Sequence, residues 1–193
     1  AGKTSLTEAI LFATGGVTRL GKVEDGTTIS DYEPEEVKRQ NSIQTAVIPC
    51  IWQDHKVNFI DTPGYPDFIG QAISGLRAAD AAILVVAAQS GVEVGTEDAW
   101  GLCEEQGLTP RIIFINKMDR ETADFQSALG SIQAAFGKKC TALQVPMGAQ
   151  QQFKGVVGLL QPPAEVPAEM ADEVARLRDR LIEAAQRHCT VSN

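Results

Sequence analysis

Ile112-Ile113-Phe114-Ile115-Asn116-Lys117-Met118-Asp119 is an apolar run that ends in Asn-Lys-x-Asp, and the rest of the chain is read from it. The segment from Arg111 to Ile115 predicts a strand. A carboxylate just past such a strand can accept from the ring N–H and the exocyclic amine of guanine together. Adenine presents the opposite donor and acceptor pattern there, and a site built on hydrogen bonds to a base rejects an analogue that leaves them unmade. On this reading Asp119 chooses the purine, Asn116 braces the loop and Lys117 lies along the base. Alone, the four residues suit a solvated turn equally well, so the decision rests on what precedes them.

Upstream, the short apolar run ending at Ile60 leads directly into Asp61-Thr62-Pro63-Gly64-Tyr65. An Asp at a strand's end can hold a metal-bound water, and a following Gly can turn its N–H toward a γ-phosphate without steric interference. At the start, Gly2-Lys3-Thr4-Ser5 is the back half of GxxxxGK[ST], followed by a helical pattern with Leu6, Ile10 and Ala13 on one side. In such a loop backbone N–H groups and the helix N-terminus cradle phosphates, Lys reaches the β and γ oxygens, and the Thr hydroxyl binds Mg²⁺. Residues 15 to 42 between them are polar and turn-rich, with the acidic run Asp31-Tyr32-Glu33-Pro34-Glu35-Glu36, and read as a long functional or mobile loop. That loop ends at Ser42, a hydroxyl placed just before a strand-like segment.

The remaining elements follow from periodicity. Ile43 to Gln53 and Lys56 to Ile60 predict a hairpin turning at Asp54-His55. Asp67 predicts the N-cap of a helix carrying Phe68, Ile69, Ala72, Ile73 and Leu76 on one face. Ala81 to Ala88 predicts a parallel strand covered on both faces. Helices are expected near 94–106 and 122–136, with Trp100 facing the core, and Ala142 to Met147 as the last sheet strand. Beyond Met147 the texture changes to a short strand over 153–160, a linker at Pro162–Pro167, and an amphipathic helix over 168–188 striped by Met170, Val174, Leu177, Leu181 and Ala185.

Composition bounds the rest. The 193 residues are 44% hydrophobic and 22% charged, enough for one core and an appended subdomain. No stretch approaches the roughly 20 apolar residues of a membrane span, and no signal-peptide pattern opens the chain, so a soluble, cytoplasmic protein without a membrane partner is expected. A net charge of −8 argues against non-specific binding of DNA or RNA by this region. Cys50, Cys103, Cys140 and Cys189 form no CxxC pair and read as reduced thiols. The chain opens inside a motif without an initiator Met, so the expectation is a piece of a longer protein, unstable or inactive by itself.

A phosphate lysine, a loop hydroxyl, Asp-x-x-Gly after one strand and Asn-Lys-x-Asp after another occur in that order on α/β texture, where ligands bind at C-terminal strand ends. Together they point to a guanine nucleotide. The stretches AGKTSLTEAIL, GKVEDGTTISDY, VNFIDTPGYPDF, IFINKMDR and QVPMGAQQQFKGVVGLL resemble the GTP-binding domain of translational GTPases, and most closely that of elongation factor G and its paralogues.

The resemblance implies an α/β fold, a P-loop NTPase-type mostly parallel sheet flanked by helices. It implies a GTP-binding domain over 1–147 and the start of an inserted subdomain over 148–193. It further implies GTP hydrolysis to GDP, Mg²⁺, and the ribosome as partner of the complete protein. Gly2, Lys3, Thr4, Ser5, Asp61, Thr62, Pro63, Gly64, Asn116, Lys117 and Asp119 would hold the nucleotide. Thr4, Ser42 and Asp61 would serve the metal, and Lys3, Gly64 and Tyr65 would act in hydrolysis. Three departures stand out. Arg39-Gln40-Asn41-Ser42 replaces Arg-Gly-Ile-Thr, keeping the hydroxyl. Tyr65 stands where the family has a His that positions the attacking water, which admits a slow or non-hydrolysing regulator of the ribosome as an alternative. A base-contacting Ser-Ala loop is not seen, since Ser127-Ala128-Leu129 falls in a helical stretch. A ribosomal-protection or peptide-release GTPase shares the same domain.

Overall fold

The computed structural model describes residues 1–163 and 166–189, with side chains to 187. Ala164-Glu165 of the expected linker, the side chain of Cys189 and the last four residues lie outside the described residues. The chain forms two compact units, Ala1–Val85 with Val94–Phe114, and Val86–Glu93 with Ile115–Asn193.

The first unit opens with Gly2 in the left-handed conformation (φ 91°), which glycine adopts without steric cost, and runs straight into helix α1, Lys3–Ala13. The loop that follows is not featureless. Glu33 and Glu36 form a reciprocal capping box around Pro34 and start a short helix, α2, Pro34–Arg39. Strands β1 (Ala46–Trp52) and β2 (His55–Asp61) then pair antiparallel from Ala46↔Asp61 to Trp52↔His55. Their turn is Gln53-Asp54, one residue earlier than expected, with φ 47° and 64°. Positive φ at both central residues matches the twist of a two-residue hairpin, and it frees His55 to pair. Ala46, Ile48 and Cys50 point inward onto Leu11 of α1, with Val17 and Phe59 closing the cluster.

Asp67 does not cap the next helix. It lies inside a 3₁₀ turn, Pro66–Phe68, and α3 (Ile69–Ala78) begins only after it, with Gly75 as its buried residue. Strand β3 (Ala82–Ala87), helix α4 (Val94–Glu105) and strand β4 (Arg111–Asn116) follow. β3 and β4 are hydrogen-bonded neighbours. Ala82 N donates to Pro110 O, and Ala88 N to Asn116 O, so both strands advance in the same direction and the pair is parallel. Ala82, Leu84, Cys103 and Leu108 form the core here, joined by Trp100, whose ring lies 4.1 Å from the Arg111 guanidinium. The expectation of cover on both faces holds only toward the end of β3: Ala82, Leu84 and Val86 are buried on one face, while on the other Ile83 is exposed, Val85 half-buried and Ala87 buried.

In the second unit Asp124 caps α5 (Phe125–Phe136) by accepting from Ser127 N at 2.6 Å. This puts Ser127, Ala128 and Leu129 on a helix, as expected. Strand β5 (Gln144–Met147) pairs antiparallel with β6 (Gly155–Gly158) in a two-stranded sheet of its own rather than closing the parallel one. Helix α6 (Ala171–Cys189) and the 3₁₀ turn before it, Ala168–Met170, cover that hairpin: Met170, Val174 and Leu177 bury against Val145, Val157 and Leu159, with Leu129 and Ala142 beside them. The stripe ends with Leu181, since Ala185 is exposed. Among the described residues no helix is long and apolar enough to cross a membrane.

Candidate functional site

Thr4 sits in the first turn of α1 and Asp61 at the end of β2, and their side chains meet: Thr4 Oγ1 donates to Asp61 Oδ2 at 2.8 Å. Ser42 joins them with its hydroxyl 3.1 Å from Thr4 Oγ1. It also donates to Asp31 Oδ1 at 2.6 Å. Thr4, Asp31 and Asp61 are buried. Three expected metal-site residues, distant in sequence, therefore share one cluster with Asp31, the first residue of the acidic run 31–36.

Lys3 and Gly64 close the other side. A Cβ built on Gly64 would lie 2.5 Å from Lys3 Nζ, so the ammonium rests directly against the Gly64 backbone. Burial holds the Lys3 ammonium below the ordinary lysine range, and the Asp61 carboxylate works against that shift. Burial pushes the Asp61 carboxyl above the usual carboxylate range. The Thr4 hydroxyl, the Lys3 ammonium and the Ser30 hydroxyl each favour its charged form, while Asp31 disfavours it. Ser30 Oγ is buried and makes no well-formed hydrogen bond among the described residues.

Position 75 explains how the Asp61 loop is set. A Cβ there would come within 2.8 Å of Thr62 Cγ2 and 3.2 Å of Ile60 Cγ2, so α3 approaches the end of β2 as closely as a bare backbone allows. Pro63 is buried beside Thr62, whereas Ser5 and Gly64 are exposed. Tyr65 is 52% exposed, at the start of the 3₁₀ turn.

Asn116, Lys117 and Asp119 belong to the second unit. The Asn116 carbonyl accepts from Ala88 N at 2.8 Å, and the carbonyl of buried Met118 accepts from Gln150 N at 2.8 Å. Lys117 takes φ 61°, the left-handed turn that swings the chain out of β4. Met118 packs with Ala88 and Ala123, leaving Asp119 exposed, 3.8 Å from Arg120 Nε. The loop is thus pinned from beneath while its carboxylate stays available.

Among the described residues no group of three His, Cys, Asp or Glu side chains is arranged to hold a metal. The Thr4, Ser42 and Asp61 oxygens instead suit a hard cation that takes few protein ligands and shares the rest with water and phosphate, as Mg²⁺ does. A buried carboxylate with its proton held too tightly fits the same assignment, because a cation would restore its charged form.

The family described as elongation factor Tu GTP binding domain matches residues 1–187. Elongation factor G of Granulibacter bethesdensis is 38% identical over 96% of this chain and 29% of its own length. Elongation factor G 2 of Streptomyces coelicolor is 40% identical over 97% of this chain and 29% of its own. A crystal structure of a Thermus thermophilus protein superposes with a TM-score of 0.87 at 36% identity, over 94% of this chain and 29% of that one. The chain spans under a third of the relatives it matches. Its fold is accordingly the P-loop NTPase fold, and the chain belongs to the family of elongation factor GTP-binding domains.

Proposed function

We propose that the protein containing this chain binds GTP with Mg²⁺ and hydrolyses it to GDP and phosphate as a switch on the ribosome. The observation carrying this reading is the meeting of Thr4, Ser42 and Asp61 hydroxyl and carboxylate oxygens beside the Lys3 ammonium. Phosphoryl transfer to water is catalysed mostly by positioning and charge neutralisation. Thr4 and Ser42 would ligate Mg²⁺ directly and Asp61 through water, while Lys3 neutralises β and γ oxygens. Gly2 and Ser5 would line the phosphates, and Thr62, Pro63 and Gly64 would carry an N–H to the γ-phosphate. When water attacks phosphorus, the bond to the β–γ bridging oxygen breaks and GDP leaves with the electron pair. Asn116, Lys117 and Asp119 would select guanine. The inserted subdomain would begin at 148, and loss of the γ-phosphate would loosen the loops at Ser42 and Asp61 for partners to read.

Competition on the complete protein tests this: GTP and GDP should displace a bound guanine nucleotide, and equal displacement by ATP would end the guanine reading. A second reading is favoured by one residue. Tyr65, exposed where the family places an imidazole, supports a GTP-dependent ribosome-binding regulator that hydrolyses slowly. Single-turnover hydrolysis with and without ribosomes separates the two.

A further inference from the structure

Glu8 and Glu36 are each 1% exposed, and the proposed reaction uses neither. Both direct their carboxylates to backbone of the loop that carries Asp31 and Ser42. Glu36 Oε1 accepts from Ile43 N at 2.8 Å and from Gln44 N at 2.9 Å, and its Oε2 accepts from Glu33 N at 3.2 Å. Ile43 N is the amide immediately after Ser42. Glu8 Oε1 accepts from Ile29 N at 2.6 Å, two residues before Asp31. Gly21 lets the loop close over Glu8, because a Cβ there would lie 2.6 Å from Glu8 Oε2 and 2.5 Å from Thr27 O. Thr4 and Glu8 are four residues apart on α1 and so lie on one face. One helix stripe therefore offers a hydroxyl to the cluster and a carboxylate to the loop meeting it.

From these bonds we infer that Glu36, with Glu8, is a positioning residue for Mg²⁺: buried carboxylates fix both ends of the 29–44 segment, so that Ser42 and Asp31 meet Thr4 and Asp61. Hydrogen bonds from backbone amides to a carboxylate are roughly twice as strong as neutral ones. The two on Glu36 Oε1 fix the peptide that aims Ser42 Oγ. The inference rests on Ser42 belonging to the nucleotide and metal site proposed above. Neither glutamate touches the ligand in this scheme, and each acts through the geometry of the groups that do. Losing an outer partner of a metal ligand costs on the order of 10- to 100-fold in metal affinity.

The test is Mg²⁺ titration of GTP binding to the complete protein, followed with a fluorescent GTP analogue. Glu36→Gln keeps one carbonyl acceptor and removes the other. It should raise the half-saturating Mg²⁺ concentration about 10-fold while affinity at saturating Mg²⁺ changes less than about twofold. In a Ser42→Ala background the same substitution should add almost nothing, because residues acting through one another are not additive. Equal shifts in both backgrounds, or no shift in either, overturn the inference. Should Glu36→Gln fail to fold, amide hydrogen exchange on the unmutated protein decides: slow exchange at Ile43 and Gln44 is expected, and fast exchange at both overturns it. An unmutated protein without Mg²⁺-dependent GTP binding overturns the functional reading itself, whatever the exchange result.

Discussion

The Thr4 hydroxyl and the Asp61 carboxylate, separated by 57 positions in sequence, share a buried 2.8 Å hydrogen bond. It ties the first turn of α1 to the end of β2 against an opposing effect, since burial raises the Asp61 carboxyl above its ordinary range. A buried carboxyl whose charged form is disfavoured is the kind of group that functional sites hold at some cost in stability.

Asp61→Asn should therefore separate stability from binding. Asparagine keeps an oxygen for the Thr4 hydroxyl and removes the buried charge. The nucleotide-free thermal midpoint should rise by about 2–4 °C, the shift that roughly 1 kcal/mol produces in a domain of this size, while Mg²⁺-dependent GTP binding disappears. A lowered midpoint with binding intact would assign Asp61 a purely structural role.

The same pair sets a pH dependence whose sign is fixed. Asp61 binds its proton more tightly folded than unfolded, so the stability it contributes is present at low pH and lost as pH rises through the raised folded value. Lys3 binds its proton less tightly when folded, so stability rises with pH between its lowered folded value and the ordinary lysine value. Urea midpoints of the nucleotide-free protein should fall with pH just above the ordinary carboxylate range. In Asp61→Asn that falling limb should be missing; its persistence would place the titration on another group.

Part of this was legible before any coordinates. Lys3, Thr4 and Asp61 sit at helix and strand ends that their motifs announce, and Ser42 could be picked out as the hydroxyl before a strand. Asp31 and Glu36 were not legible, because an acidic run carries no periodicity and a loop's long-range contacts leave no local pattern. The capping-box spacing of Glu33 and Glu36 was the one available signal for α2. The turn at Gln53-Asp54 escaped because neither residue is the glycine that a two-residue hairpin favours. The sheet that β5 joins is not legible because a short, largely apolar segment such as Ala142 to Met147 reads alike in a parallel sheet and in a hairpin, and only the pairing with β6 tells them apart.

Gly75→Ala tests how α3 sets the Asp61 loop. Alanine gains up to about 1 kcal/mol of helix propensity, but its methyl would meet Thr62 Cγ2 at 2.8 Å. Overpacking of this kind costs typically about 1–3 kcal/mol, so net destabilisation is expected in a urea titration, with weaker GTP binding because Thr62 adjoins Asp61. A stabilised variant with unchanged binding would show that the helix shifts freely.

Tyr65 decides between fast switch and slow regulator. If Tyr65 stands near the attacking water, as proposed, its phenol cannot serve as imidazole does, so Tyr65→His should raise ribosome-stimulated single-turnover hydrolysis by about 10²-fold, the low end of what a positioned proton acceptor contributes. GTP affinity should stay put, because the side chain is half exposed and holds no phosphate in the proposed arrangement. An unchanged rate would show that another group limits hydrolysis.

Asp119→Asn tests the purine choice with little risk to the fold. Asp119 is exposed and its 3.8 Å pairing with Arg120 is of the solvent-screened kind that contributes little, so the denaturation midpoint should not move measurably. Guanine would lose the carboxylate facing its amine, and an amide N–H would point at another donor. Xanthine, with a carbonyl in place of that amine, would accept from the new amide. GTP affinity should drop by about 10²-fold or more, in line with sites that lose a hydrogen bond to a buried partner, and xanthosine triphosphate should become the better ligand. Unaltered GTP preference would move base selection away from position 119 and leave Asn116-Lys117-Met118-Asp119 as a turn pinned by Ala88 and Gln150.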